Sequence, residues 1–195
     1  MFGMHVLAHA QKPKLYMKAY GGVHAKRFEY KQNGQSTEDL LAGWQGGFGM
    51  RVSIKRVFGE MDFDFIRSYV RLPLDLDGSD PLPAEEIKLQ TNSLNIPFKL
   101  GYIPVKGHFL KWYLYTGISS RINTKTKVDF LGEEYIFKPK ELGLRTYTLD
   151  WNVGTQFDVG WLNIDVYYGL GLTNSGNEGT RTNSNEFLLN LGFLF

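Results

Sequence analysis

Charged side chains in this chain recur at alternate positions, most of them between apolar neighbours. Lys18, Arg51, Lys55, Lys99 and Lys111 sit this way, as do Asp62, Asp64, Asp150, Asp158, Asp165 and Glu186. Carboxylates sharing a buried space with an ammonium shift one another's proton affinity, which is what a proton or ion path requires. Asp150, Asp165 and Lys99 are the candidates for such a path. The same groups can instead form a structural plug that excludes water and fixes strand register. In either case the charges must be paired, because isolated burial is prohibitive. The near balance of the two signs suits a space filled by ion pairs and Tyr hydroxyls.

Other chemistry has weaker support. The histidines are His5, His9, His24 and His108; His5 and His9 are spaced as His-x-x-x-His but lie in a signal-like segment, so a zinc site has little support. A Ser-His-Asp set drawn from His24, Ser119 or Ser120, and Asp129 could meet at one rim of a barrel, yet nothing local to those residues favours it. Gly46-Gly47 with Gly49 lacks the strand-to-helix context of a phosphate loop; glycine in a strand more often marks a bend or close packing. No cysteine is present, which excludes disulfides and thiolate metal sites. No catalytic residue, cofactor or metal is expected.

The charged rows must be positioned by strands, since alternation is a period-2 pattern. Eight segments carry it. The first is residues 14–22, with Leu15, Met17 and Ala19 against Tyr16, Lys18 and Tyr20. The second covers 43–57, where Trp44, Phe48, Met50, Val52 and Ile54 oppose Arg51, Ser53 and Lys55. After a turn at Phe58-Gly59, the third runs over 60–72. The fourth spans 88–102 and the fifth 109–119, with Leu110, Trp112 and Leu114 against Lys111, Tyr113 and Tyr115. Residues 147–159 and 162–170 are the sixth and seventh. Asn185 to Phe195 form the eighth, with Phe187, Leu189, Leu191, Phe193 and Phe195 on one face.

The connections sort by length. Those after the first, third, fifth and seventh strands are long and polar (26–39, 73–86, 120–141 and 174–185), whereas the rest are short turns. Long extracellular loops and short periplasmic turns are the topology of an outer-membrane barrel, with both termini on the periplasmic side. Trp44, Trp112, Trp151, Tyr102 and Tyr168 then face lipid or its interfaces, and Trp161 anchors the periplasmic edge. An interior of eight strands is just wide enough for side chains, so the charged row reads as a plug and no solute pore is expected. One strand strains the pattern. The lipid-facing row of the third would continue to Arg67, Tyr69 and Arg71, so either these lie at the outer rim or a bulge near 65–66 switches faces. The rim is preferred, because Tyr69 suits an interfacial girdle.

Length and composition agree with this. The 195 residues fit one barrel domain, and a net charge of +2 implies no pull toward nucleic acid. No run of about 18 apolar residues exists to make a membrane helix. A mean hydropathy of -0.27 suits a barrel as well as a soluble protein, because lipid-facing and lumen-facing residues alternate. Residues 14–195 are assigned to the barrel and 1–13 to a signal-peptide remnant or disordered arm, since Val6 to Ala10 resembles a small-x-small cleavage site.

An apolar, aromatic terminal row ending in Phe195 resembles the carboxy-terminal strand of bacterial outer-membrane proteins, which the barrel-assembly machinery reads. Leu94-Asn95-Ile96-Pro97-Phe98-Lys99-Leu100-Gly101-Tyr102 is similar to the "IP-x-x-L-x-Y" strand of the PorT-like outer-membrane β-barrel proteins of Bacteroidetes. Asp165 to Asn174, with Tyr167-Tyr168-Gly169-Leu170, resembles their penultimate strand. The resemblance implies an eight-stranded barrel in the bacterial outer membrane, exported through the periplasm and inserted by the barrel-assembly machinery. Some members are associated with type IX secretion and gliding, and the family offers no catalytic residue to carry over.

Three functions follow as expectations. The first is a non-enzymatic, monomeric outer-membrane protein, surrounded by lipid, whose long loops meet an envelope or secretion partner. The second is an outer-membrane enzyme with a rim active site. The third is a soluble lipocalin-like lipid-binding barrel, which would need an apolar cavity where this chain places charge.

Overall fold

The computed structural model describes residues 12–32, 35–73, 86–130, 133–138, 145–173 and 181–195, without the side chains of 28–32, 35–40, 70–73, 86–89, 129–130, 133–134 and 181–183. The signal-like segment at 6–10 and the side chains of Arg71 and Asp129 lie outside the described residues.

Among the described residues nine strands form in chain order: β1 (Lys14–Gln32), β2 (Gln35–Ile54), β3 (Val57–Pro73), β4 (Glu86–Lys106), β5 (Leu110–Phe130), β6 (Glu133–Phe137), β7 (Tyr147–Val159), β8 (Leu162–Gly171) and β9 (Arg181–Leu194). Eight of them close an antiparallel up-and-down barrel. Neighbours run β4-β3-β2-β1-β9-β8-β7-β5, and β4 pairs with β5 to complete the ring. The ninth, β6, pairs with β5 alone and hangs outside the ring.

Closure depends on the last strand. β9 lies between β1 and β8, with Ala19 opposite Phe193 and Val23 opposite Leu189. Phe195 exchanges two 2.9 Å backbone hydrogen bonds with Met17. Each edge of the eight ring strands thereby finds a partner, which a membrane interior demands of every backbone group.

The expected strands occur, but two expected loops are strand. β1 and β2 stay paired up to Gln32 and Gln35, through most of the segment expected as a loop over 26–39. β5 continues to Phe130 and β6 follows, within the loop expected over 120–141. Above the hydrocarbon neither face of a strand need be apolar, so the alternation fades while the hydrogen-bond ladder goes on. The β2–β3 turn is also displaced. It consists of Lys55 and Arg56, Lys55 adopting a φ of 57°, while Phe58 enters β3 and points inward at 1% exposure.

The faces sort as the alternation predicts. Outward residues include Phe48, Phe63, Phe98, Ile118, Val153 and Leu191, all exposed. Inward positions are mostly polar, charged or glycine, with Phe58, Ile66, Ile103 and Leu188 as apolar exceptions. The bulge considered near 65–66 does not form, since β2 and β3 keep one register from Ala42–Tyr69 to Ile54–Val57. Arg67 therefore lies on the outward row. Its Nε donates to Asn92 Oδ1 at 3.0 Å, and its guanidinium stands 5.4 Å from the Trp44 ring and 5.8 Å from the Phe65 ring.

Candidate functional site

Among the described residues, ionisable side chains converge in the lumen. Lys18 arrives from β1, Arg51 from β2, Glu60, Asp62 and Asp64 from β3, Lys99 from β4, Asp158 from β7 and Asp165 from β8, all buried. Inward glycines make the room. A Cβ at Gly49 would collide with Asp62 Oδ1 and stand 2.7 Å from Lys18 Cε.

Lys99 is the hub of the periplasmic half. Its Nζ lies 2.7 Å from Asp165 Oδ2, 2.8 Å from Asp62 Oδ2 and 3.2 Å from Glu60 Oε1. Lys18 Nζ is 2.6 Å from Glu60 Oε1 and 3.3 Å from Asp62 Oδ1. Arg51 donates Nε to Glu60, Nη1 to Asp158 at 2.8 Å and Nη2 to Gln156. Tyr113 and Tyr115 donate to Asp158 and Asp165, each at 2.6 Å. Asp64 accepts from Tyr20 and Asn95. Glu60, Asp158 and Asp165 thus each meet an opposite charge and a neutral donor. Asp62 meets Lys18 and Lys99, and Asp64 is held by neutral donors, the kind of pairing under which buried ions are tolerated. Phe58, Ile103, Tyr113, Tyr115, Tyr167 and Leu188 pack around this network as its apolar filling.

A second cluster occupies the outer half. Arg121 Nη2 bonds Glu186 Oε2 and lies 3.9 Å from Asp150 Oδ2, with Lys26 and His24 also buried. The proposed trio of Asp150, Asp165 and Lys99 is therefore not one unit. Asp165 and Lys99 are paired, whereas Asp150 keeps company with Arg121.

Two expected lumen residues lie elsewhere. Lys55 is exposed at the β2–β3 turn, where its φ of 57° ends the inward row before that position. Lys111 is half-buried at the periplasmic rim, 4.8 Å from the Tyr16 ring, opposite Asp158 in register yet outside the network. Three participants escaped the sequence reading. Glu60 was assigned to the edge of a strand, and Arg121 and Lys26 to loops. Parity could have found the first two, since Glu60 shares the row of Asp62 and Asp64, and Arg121 that of Tyr115 and Ser119.

The oxygens of Glu60, Asp62 and Asp165 lie within 4.8 Å of one another, near enough to hold a cation. That role belongs to the chain's own Lys99 ammonium, which touches all three. Of the rim set, His24 and Ser119 bond to other side chains, and the side chain of Asp129 lies outside the described residues. His24 Nε2 contacts Ser68 Oγ at 2.9 Å, and Ser119 Oγ accepts from Asn152 Nδ2. A lipocalin-like cavity is the reverse of what forms, because the charge is inside and the apolar surface outside.

That surface decides the solvent. Each strand turns a row of apolar side chains outward, Leu15, Phe48, Phe98, Leu114 and Leu191 among them. β8, with ten residues, has the length that crosses a bilayer when tilted. Trp161 at the β7–β8 turn stacks on Phe193 at 5.0 Å, as an interfacial anchor does. A closed eight-stranded barrel with an apolar exterior and polar interior is built for the bacterial outer membrane, and this chain resides there.

No protein-family profile matches the chain, and no curated protein is similar to it. Solved structures are similar at low identity. Ail, the attachment invasion locus protein of Yersinia pestis, is 13% identical with a TM-score of 0.46, over 92% of this chain and 98% of that one. Neisserial surface protein A is 14% identical with a TM-score of 0.46, over 94% and 99%. The N-terminal β-barrel domain of Pseudomonas aeruginosa OprF is 12% identical with a TM-score of 0.30, over 89% and 97%. Likeness at this level carries no argument about what the chain does.

Proposed function

We propose that this is a non-enzymatic, monomeric outer-membrane barrel whose outer strands bind a protein of the cell envelope. The observation that carries the reading is the position of Lys99 Nζ, held by carboxylates from β3 and β8 across the lumen. A lumen closed in this way conducts no solute, so interaction falls to what stands outside the membrane. There β4, β5 and β6 continue as a small sheet with Tyr135 and Ile136 exposed at 50% and 61%.

The PorT-like resemblance of 94–102 and 165–174 supports a narrower form. On that resemblance the partner is a component of a type IX secretion or gliding complex in a Bacteroidetes envelope. Residues 1–13 are then the remnant of an export signal or a disordered arm. Phe187, Leu189, Leu191, Phe193 and Phe195 are the strand read by the barrel-assembly machinery. The charge network of Lys18, Arg51, Asp62, Asp64, Lys99, Asp150, Asp165 and Glu186 serves structure alone.

Photo-cross-linking from position 136 in intact cells tests this reading. The expected product is one adduct with an envelope protein, absent when Tyr135 is replaced by Lys. Adducts with lipid alone would remove the partner-binding role.

A further inference from the structure

We infer that the outer wall of the barrel over β3, β4 and β5 is a binding site for the phosphorylated headgroup of an outer-leaflet glycolipid. The inference rests on the outer-membrane location and is independent of any protein partner.

Charge in this molecule is segregated. Among the described residues every Asp and Glu side chain is buried, whereas Lys12, Lys14, Arg27, Lys125 and Arg145 are exposed. Among the described residues the outward surface therefore carries basic side chains and no carboxylate. Lys125 and Arg145 join the half-buried Arg67 at one height on one sector of the wall.

Register places them. Trp44 lies opposite Arg67, Arg67 opposite Asn92, and Asn92 opposite Lys125, so four neighbouring strands contribute to one outward row. Directly below on the same face run Phe65, Leu94 and Ile122, also cross-strand partners and all exposed. Polar character begins where the apolar belt ends, as an amphipathic lipid requires.

A bulge puts Lys125 there. Ser93 pairs with Asn123 but Asn92 pairs with Lys125, so β5 carries one extra residue, Thr124, whose Oγ1 donates to the Asn92 carbonyl at 3.0 Å. Ile122 faces outward, and without the extra residue position 125 would face the lumen. With it, Lys125 is exposed and Thr126 takes the buried place at 1%. Bulges that re-aim a side chain are built features of sheets.

Arg67 is preset for an anion. Its Nε is held by Asn92 and its plane packs near Trp44 and Phe65, and among the described residues neither Nη group has an acceptor. A guanidinium fixed in this way suits the paired oxygens of a phosphate. Arg145 completes the sector. Its carbonyl accepts from Asn123 Nδ2 at 2.8 Å, which holds this exposed residue beside the bulge.

Native mass spectrometry of the folded protein in detergent, with diphosphorylated lipid A as probe, tests the site. Wild type should retain the lipid, and lipid A stripped of its phosphates should be lost. Replacing Arg67, Lys125 and Arg145 together by Gln should weaken retention about a hundredfold, roughly fivefold per cation. Lys125→Gln with Arg145→Gln, both exposed, provides a pair that leaves the Arg67 hydrogen bond in place and should weaken it about twentyfold on the same scale. Heat-modifiable gel migration reports folding of each variant separately, so loss of the barrel is not mistaken for loss of the site. Equal retention of dephosphorylated lipid A, unchanged retention by the folded variants, or full competition by phosphatidylglycerol or inorganic phosphate would each overturn the proposal.

Discussion

Lys99 on β4 and Asp165 on β8 meet at 2.7 Å from strands that are not neighbours in the barrel wall. Their contact crosses the lumen, and Asp62 and Glu60 of β3 join it on the near side. The interior is thus cross-braced by ions where a soluble barrel would be braced by apolar side chains. Replacing Lys99 by Met should therefore destabilise the barrel by about 3–5 kcal/mol, since three carboxylates lose their shared counter-ion. Urea unfolding from lipid vesicles measures this; an unchanged midpoint would mean that the network contributes no stability.

Arg51 and Glu60 are register partners across the β2–β3 hairpin and bonded through Nε. Arg51→Gln and Glu60→Gln should each be strongly destabilising, because each leaves a buried charge short of a partner. The double variant should cost less than the sum, with a coupling of about 1–3 kcal/mol. A double-mutant cycle by denaturant titration reads it directly, and simple additivity would deny the pair.

Glycine positions should respond by face. A side chain at Gly49 meets Asp62 and Lys18 inside, so Gly49→Val should cost about 1–3 kcal/mol from overpacking. At outward Gly46 a Cβ meets only the Tyr20 carbonyl at 3.7 Å. There Gly46→Ala should be neutral or stabilise by roughly 0.5–1 kcal/mol, through lower backbone entropy in the unfolded chain. Comparable thermal shifts at the two sites would contradict the assignment of faces.

Depth should matter outside. Val153, midway along β7, should tolerate Arg poorly, at about 2–4 kcal/mol, whereas Ile54→Arg at the periplasmic turn should cost about 0–1 kcal/mol. Equilibrium folding into vesicles checks both. Equal costs would remove the hydrocarbon belt from the account.

Much of this was legible before the fold was known, and the reason is physical. Within the membrane one face must be apolar and the other must fill a narrow lumen, so Phe63 and Asp64, or Leu189 and Asn190, announce opposite sides by type alone. Beyond the membrane that contrast vanishes. The upper parts of β1, β2 and β5, and all of β6, read as polar loop although the ladder persists. Lys55 was misplaced because alternation does not say where a turn stops it. Arg121 was missed because its row was cut short at the start of a supposed loop. Lys125 shows a further limit, since a single extra residue, Thr124, reverses the faces beyond it.

The central claim is that the apolar row meets hydrocarbon and the charged row is sealed inside. The chain has no cysteine, so single Cys substitutions from 187 to 193 on β9 can each carry a nitroxide spin label without background. Accessibility of the label to oxygen and to a water-soluble nickel chelate, measured in lipid vesicles, tests the claim residue by residue. Oxygen accessibility should peak at 187, 189, 191 and 193 and fall at 188, 190 and 192, with the chelate excluded from both sets. Collision of the chelate with the labels at 189 and 191 would put that face in water and contradict the account.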